Sequence, residues 1–209
     1  SIYIFPYLKY VFYDPLIQVL HISDTQSGLL LTMYAIGCVI LYIPGGILAD
    51  KMNPKKALML SLAVATILTG AFAVTILLDL PGSVAYGISL VIWLLIAFAS
   101  GFVFWTAILK AIRIVGTEEE QGTMYGIYYA ANGTTAAIIA AVNLWAYNAG
   151  GGDSNMKSGF FWAVVSMAAF TLLATILIAI FLEGKSDKDL STAEEDKFHF
   201  GDVVTVLKN

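Results

Sequence analysis

Charged and uncharged positions fall in long blocks along this chain. No Asp, Glu, Lys or Arg occurs at 25–49, 57–78, 80–109, 121–152 or 158–182, which are runs of 25, 22, 30, 32 and 25 residues. A helix needs about 20 apolar residues to cross a bilayer's hydrocarbon core, so each run is long enough to span. With the apolar, aromatic opening stretch they predict six spans, at 3–20, 28–49, 57–78, 86–109, 122–147 and 159–182. The first span has neither an initiator Met nor a basic leader. A start partway through a helix, or a trimmed terminus, is expected rather than a signal peptide. The fold class that follows is an all-α membrane protein, with a six-helix transmembrane bundle over 1–182 and a polar segment over 183–209. In that segment Ser191 and Glu194 have the spacing of a capping box, and Phe200, Val203, Val204 and Leu207 recur at helical spacing. They predict a short amphipathic helix on the inner membrane surface, or the approach to a further span.

Composition narrows the class. The 209 residues are 59% hydrophobic and 12% charged, whereas soluble domains average about 25% charged. A soluble enzyme, a nucleic-acid module and a disordered chain are excluded on that ground. The net charge of −4 averages loops on two sides of a membrane and says nothing of partners. The placement of basic residues says more. Lys51, Lys55, Lys56, Lys110, Arg113, Lys185, Lys188, Lys197 and Lys208 fall in connections on one side, against Lys157 alone on the other. By the positive-inside rule the nine face the cytoplasm, as do the N-terminus and 183–209, in a multi-pass protein of the cytoplasmic membrane. The single cysteine, Cys38, excludes an intrachain disulfide and a cysteine-based metal site, and no cofactor is implied.

The connection between spans two and three is the most informative stretch: Gly46-Ile47-Leu48-Ala49-Asp50-Lys51-Met52-Asn53-Pro54-Lys55-Lys56. A helix that leaves the membrane, turns and re-enters needs a small residue, a turn-forming pair and inner-side bases, which Gly46, Asn53-Pro54 and the lysines supply. Asp50 has no such generic role. It falls at a helix C-terminus, where the macrodipole disfavours negative charge, so it should pair with Arg113 or Lys110. The stretch resembles the signature loop of the major facilitator superfamily, Gly-x-Leu-Ala-Asp-Arg-x-Gly-Arg-Lys. Gly46, Leu48, Ala49, Asp50 and the basic Lys51 match in order, and Lys55 matches the terminal base. The departure is Asn53-Pro54, which looks like the loop of organophosphate:phosphate antiporters and related organic-anion transporters. The stretch 116–126, with Glu120-Gln121-Gly122, is similar to the entry into span five of those transporters. The resemblance implies the N-terminal six-helix half of a major facilitator fold, built as 3+3 inverted repeats, with a second six-helix half beyond Asn209. It implies a conformational gating role for Gly46, Asp50, Lys51, Lys55, Lys56 and Arg113. A topogenic loop with one incidental ion pair is the plainer alternative.

Ionisable residues inside spans are functional candidates by default. Lys9 falls roughly 16 Å and Asp14 roughly 9 Å from the expected outer end of span one, at about 1.5 Å per residue. A midplane lysine facing a cavity attracts an anion; a snorkelling or acid-paired lysine is the plainer reading. Aligning span one through Pro15 and Ser23 places Tyr7, not Lys9, where the resembling phosphate antiporters carry an arginine. Asp14 suits a proton-coupling carboxylate, or else orients the Asp14-Pro15 turn. In span five Tyr125, Tyr128, Tyr129, Asn132 and Thr135 share one helix face, which suits a wet cavity or a helix contact. Tyr34 and Trp105 are candidates for the same cavity.

These features lead to a secondary active transporter working by alternating access. The solute expected is a small organic anion, a sugar phosphate or sugar acid, held by Lys9 with Tyr125, Tyr129, Asn132, Tyr34 and Trp105. A co-transported proton or counter-ion would act through Asp14. The lipid bilayer is the surrounding partner, and no nucleic acid is expected. A transporter-like sensor that binds the solute without moving it is the alternative. Enzymes are not expected: the two histidines, His21 and His199, lie outside the spans, which excludes a rhomboid-type protease. An aquaporin-type channel needs two Asn-Pro-Ala half-helices, and an ATP-driven pump needs a glycine-rich phosphate loop; neither is present.

Overall fold

In the computed structural model, residues 2–105, 107–109, 112 and 120–182 are described. Helices account for the architecture: α1 (Tyr13–Val19), α2 (Asp24–Lys51), α3 (Pro54–Leu77), α4 (Gly82–Ala97), α5 (Gln121–Ala149) and α6 (Met156–Phe181). A π-helical turn, Phe98–Phe104, continues α4. Four stretches among the described residues are long and apolar enough to cross a membrane: Asp24–Tyr42, Pro54–Leu77, Gly82–Gly101 and Gly152–Phe181. α5 is as long and carries no charge, but Asn, Thr, Gly and Tyr dilute its hydropathy.

Local chemistry sets the helix ends. Ser23 and Gln26 form a reciprocal capping box: the Ser23 backbone N–H donates to Gln26 Oε1 (2.8 Å), and the Gln26 N–H donates to Ser23 Oγ (3.2 Å). This starts α2 at Asp24, four residues before the expected membrane entry. Asn53 caps α3 by accepting from the Lys55 backbone N–H at 2.9 Å, with Pro54 in the first turn where its missing N–H costs nothing. The pair therefore turns the chain by capping the next helix.

The first span departs from a continuous helix. Turns at 2–7 lead into a 3-10 turn, Leu8–Tyr10, then a break at Phe12 (φ −119°, ψ 47°) before α1. Pro15 explains the break, because it has no N–H to offer the carbonyl four residues earlier, that of Val11.

An aromatic core ties this segment to the bundle. Phe5 lies 5.3 Å from Phe72 of α3 and 4.8 Å from Trp93 of α4, between ring centroids. Phe72 meets Phe160 of α6 at 6.0 Å, and Phe12 meets Tyr147 of α5 at 5.5 Å. Edge-to-face and tilted pairs at these distances contribute about 0.5–1.5 kcal/mol each beyond burial. Trp93 Nε1 also donates to the Pro6 carbonyl at 3.2 Å, satisfying a buried acceptor in the irregular first segment. α3 packs along α6, with Thr66 Oγ1 and Thr171 Oγ1 3.1 Å apart, and α2 packs against α4 and the π-helical turn. The outer faces are apolar. Val39 and Phe181 are 75% exposed and Trp145 is 70% exposed, which suits lipid rather than water.

Candidate functional site

A cavity of about 610 Å³ lies between the first segment, α2 and the end of α4. Tyr3, Tyr7, Tyr10, Tyr34, Tyr42 and Trp105 supply its aromatic lining. Small or apolar residues, Leu31, Ala35, Cys38 and Gly101, complete it. No charged side chain among the described residues lines it. Its volume falls in the usual range for small-molecule sites.

The lining is built by close helix approach and two anchored hydroxyls. Gly37 brings α2 onto α4: a Cβ there would stand 2.7 Å from Ala97 Cβ. The next residue, Cys38, lies against Gly101 of the π-helical turn, where a Cβ would stand 3.0 Å from Cys38 Sγ. Ser100 donates to the Ile96 carbonyl at 2.8 Å, so its single proton is committed. The buried contact of 2.9 Å between Tyr34 Oη and Ser100 Oγ is therefore donated by Tyr34. Tyr3 Oη donates to the Ser100 carbonyl at 3.3 Å. These two hydroxyls are turned to the π-helical turn. Tyr7 stacks on Tyr10 (6.1 Å, 24°) and meets Tyr34 edge-on (5.8 Å, 79°), while Tyr3 meets Trp105 edge-on at 6.4 Å. Tyr7, Tyr10 and Tyr42 are exposed, and no hydrogen bond to another described residue engages their hydroxyls.

Of the residues singled out from sequence, Tyr34 and Trp105 line this cavity. Lys9 does not. It is half-buried in the 3-10 turn between Leu8 and Tyr10, and no acid among the described residues pairs with it. Tyr129 and Asn132 are exposed along α5 and Tyr125 is half-buried there; none of the three is in the lining. Asp14 is exposed in the first turn of α1 and lines a separate cavity of about 310 Å³ with Gln18, Tyr147 and Asp153. Tyr147 Oη donates to Asp153 Oδ1 in that cavity at 2.8 Å. Lys55 reaches the far end of the bundle's packing, its Nζ donating to the Ala179 carbonyl in the last turn of α6 at 2.9 Å. Lys56 is exposed. α2 runs through Asp50 and Lys51, but the side chains from Gly46 to Lys51 and the whole of Lys110 and Arg113 lie outside the described residues, as does 183–209. The Asp50 ion pair falls there.

Tyr3, Tyr10 and Tyr42 were not indicated by the sequence as lining residues, and Tyr7 entered only through alignment. The signal was present in α2, where Tyr34, Cys38 and Tyr42 repeat at i, i+4, i+8.

A multi-pass helical membrane protein with a solute-sized cavity among its spans is the class that fold and site define. The chain belongs to the Major Facilitator Superfamily, whose family model matches residues 3–209; it is thus part of a membrane transporter family. It is 24% identical to Inner membrane protein YqcE of Escherichia coli over 97% of this chain and 45% of that protein. It is 26% identical to Inner membrane protein YihN of Escherichia coli over 85% of this chain and 41% of that protein. It is 29% identical to Uncharacterized protein MG294 homolog of Mycoplasma pneumoniae over 91% of this chain and 43% of that protein. The chain spans somewhat under half the length of these relatives. No solved structure matches it significantly.

Proposed function

We propose that the protein carrying this chain is a secondary active transporter that moves a small organic solute across the cytoplasmic membrane by alternating access. This chain would supply one six-helix half, and a second half would close the cavity from its open side. The observation that carries this reading is the aromatic cavity itself, solute-sized and walled on one side by spans of one half. The exposed polar stripe of Tyr129 and Asn132 would face the same route once the halves meet. Asp14 would serve a co-transported proton or counter-ion, and the loop around Asp50, Lys51 and Arg113 would brace the outward-open state. A sugar phosphate or sugar acid would need Lys9 to reach the solute from its place beside Leu8, whereas the uncharged lining favours the class argued below.

The test is solute counterflow in proteoliposomes holding the full-length protein. Preloading with an unlabelled solute that stabilises the protein should drive transient accumulation of the labelled one. Asp50→Asn should slow this exchange severalfold while leaving solute affinity within about twofold. Binding without counterflow would refute transport.

A further inference from the structure

On the footing of the transporter reading, we propose that this cavity selects an uncharged polyhydroxylated ring, a sugar or cyclic polyol, rather than an anion or an organic cation. Three observations on the lining separate these classes. The first concerns charge. An anion taken from water is held most strongly where a cation pairs with it, neutral donors alone being weaker. The described lining holds no Lys or Arg, and Lys9 lies outside it.

The second concerns the hydroxyls. Tyr3 and Tyr34 spend theirs on Ser100, so their hydroxyls are fixed parts of the wall. Tyr7, Tyr10 and Tyr42 are exposed residues whose hydroxyls are uncommitted among the described residues. Together with the indole N–H of Trp105 they offer an array of neutral donors and acceptors. A cyclic polyol carries hydroxyls around its rim that such an array can match. A quaternary ammonium ion would be held by ring faces alone and would leave those hydroxyls without partners.

The third concerns the rings. Tyr7 stacks on Tyr10 and meets Tyr34 edge-on, and Trp105 lines the same cavity. An aromatic side chain gives an apolar body with a polar tip. Such surfaces complement a pyranose or cyclitol, which has apolar C–H faces and a polar edge.

The experiment is a thermal-stability titration of the purified full-length protein with charge-matched probes. The neutral set contains hexoses, pentoses, hexitols, inositols and disaccharides. The anions are glucose 6-phosphate and gluconate, and the cation is choline. At least one neutral probe should raise Tm in a saturable way, with its phosphorylated or oxidised counterpart at least tenfold weaker. Trp105→Leu and Tyr7→Leu should weaken that neutral probe by about tenfold, the equivalent of about 1.4 kcal/mol. Tyr7→Phe should retain the ring contribution and weaken it less, while Lys9→Gln should leave it unchanged. A saturable shift with an anion that Lys9→Gln removes would overturn the proposal. So would a shift with choline alone, or none with any neutral probe. Counterflow separates the two readings. Neutral binding without exchange would refute transport and keep the solute class; exchange of an anion would keep transport and refute the class.

Discussion

Tyr34 of α2 donates its hydroxyl proton to Ser100 of the π-helical turn at 2.9 Å, and both side chains are buried. This bond fixes one wall of the aromatic cavity against the end of α4. Its two partners are not equivalent. Ser100 keeps a second bond, to the Ile96 carbonyl, whereas Tyr34 has its hydroxyl pointed into the protein with Ser100 as its acceptor.

Removing one partner should therefore cost less than removing the other. Tyr34→Phe deletes a hydrogen bond and leaves Ser100 satisfied, for a loss of about 0.5–1.5 kcal/mol. Ser100→Ala leaves the buried Tyr34 hydroxyl with only the weak acceptor Cys38 Sγ beside it and should cost about 1–3 kcal/mol. Reversible unfolding of the full-length protein in mixed detergent measures both. Equal losses would mean that the Tyr34 hydroxyl finds another acceptor.

Close approach of α2 and α4 at Gly37 should be as demanding as its geometry suggests. A methyl at Gly37 would meet Ala97 Cβ at 2.7 Å and Leu94 Cδ1 at 3.2 Å. Neither α2 nor α4 can move away without disturbing the cavity wall, so Gly37→Ala should destabilise by about 1–3 kcal/mol through overpacking. Gly28 on the same helix has nothing within 4 Å of a built Cβ. Gly28→Ala should be neutral, or stabilising by up to about 1 kcal/mol from helix propensity. The same unfolding assay compares the pair, and a neutral Gly37→Ala would show that the helices can separate.

How much of this could be read in advance follows from which forces act along the sequence and which act across space. Lipid imposes a minimum uncharged length on every span, so the blocks between charges located α2, α3, α5 and α6 to within about four residues, whereas the fourth expected span ran twelve residues past the end of α4, through the π-helical turn. The residual error is largely capping chemistry outside the lipid, as at Ser23–Gln26 and Asn53–Pro54. The first span was harder, because one proline converts a uniform helix into turns whose phase cannot be counted at 100° per residue. That phase decides which of Tyr7, Lys9 and Tyr10 faces a cavity. Lys9 stands out in the sequence as a charge near the midplane, whereas Tyr10 carries no such mark until its ring is placed on Tyr7, which in turn meets Tyr34. The π-helical turn at Ser100 carried no sequence sign beyond a cluster of small residues.

The signature-loop lysines should divide by role. Lys55 Nζ donates to the Ala179 carbonyl, one of the acceptors that the last turn of α6 leaves without an intrahelical donor. A cation there also complements the negative end of the helix dipole. Lys55→Met should cost about 1–2 kcal/mol in unfolding and loosen the inner end of α6, read as faster amide exchange near Ala179. The exposed neighbour Lys56 is the control, and Lys56→Met should leave both readings unchanged. Identical behaviour of the two variants would reduce the loop to its topogenic charge.

At the opposite end of the bundle, Lys157 at the start of α6 pairs with Asp79 after α3 at 3.0 Å. Asp79 sits in the left-handed region (φ 51°), a conformation uncommon for a residue other than glycine. The hydrogen bond and charge of Lys157, with a smaller contribution from His21, hold its carboxyl below the ordinary carboxylate value, near 3.9. A lowered folded-state value means that the pair stabilises the fold above the ordinary carboxylate pKa. That contribution is lost as the pH falls through the lowered value. Asp79→Asn should therefore lower Tm slightly at pH 7, and its difference from the unaltered protein should shrink toward zero below pH of about 3. Both side chains are substantially exposed, 38% for Lys157 and 69% for Asp79, so added salt should shrink the pH 7 difference as well. A difference that persists unchanged at acid pH or in high salt would assign the effect to the backbone at Asp79 rather than to its charge.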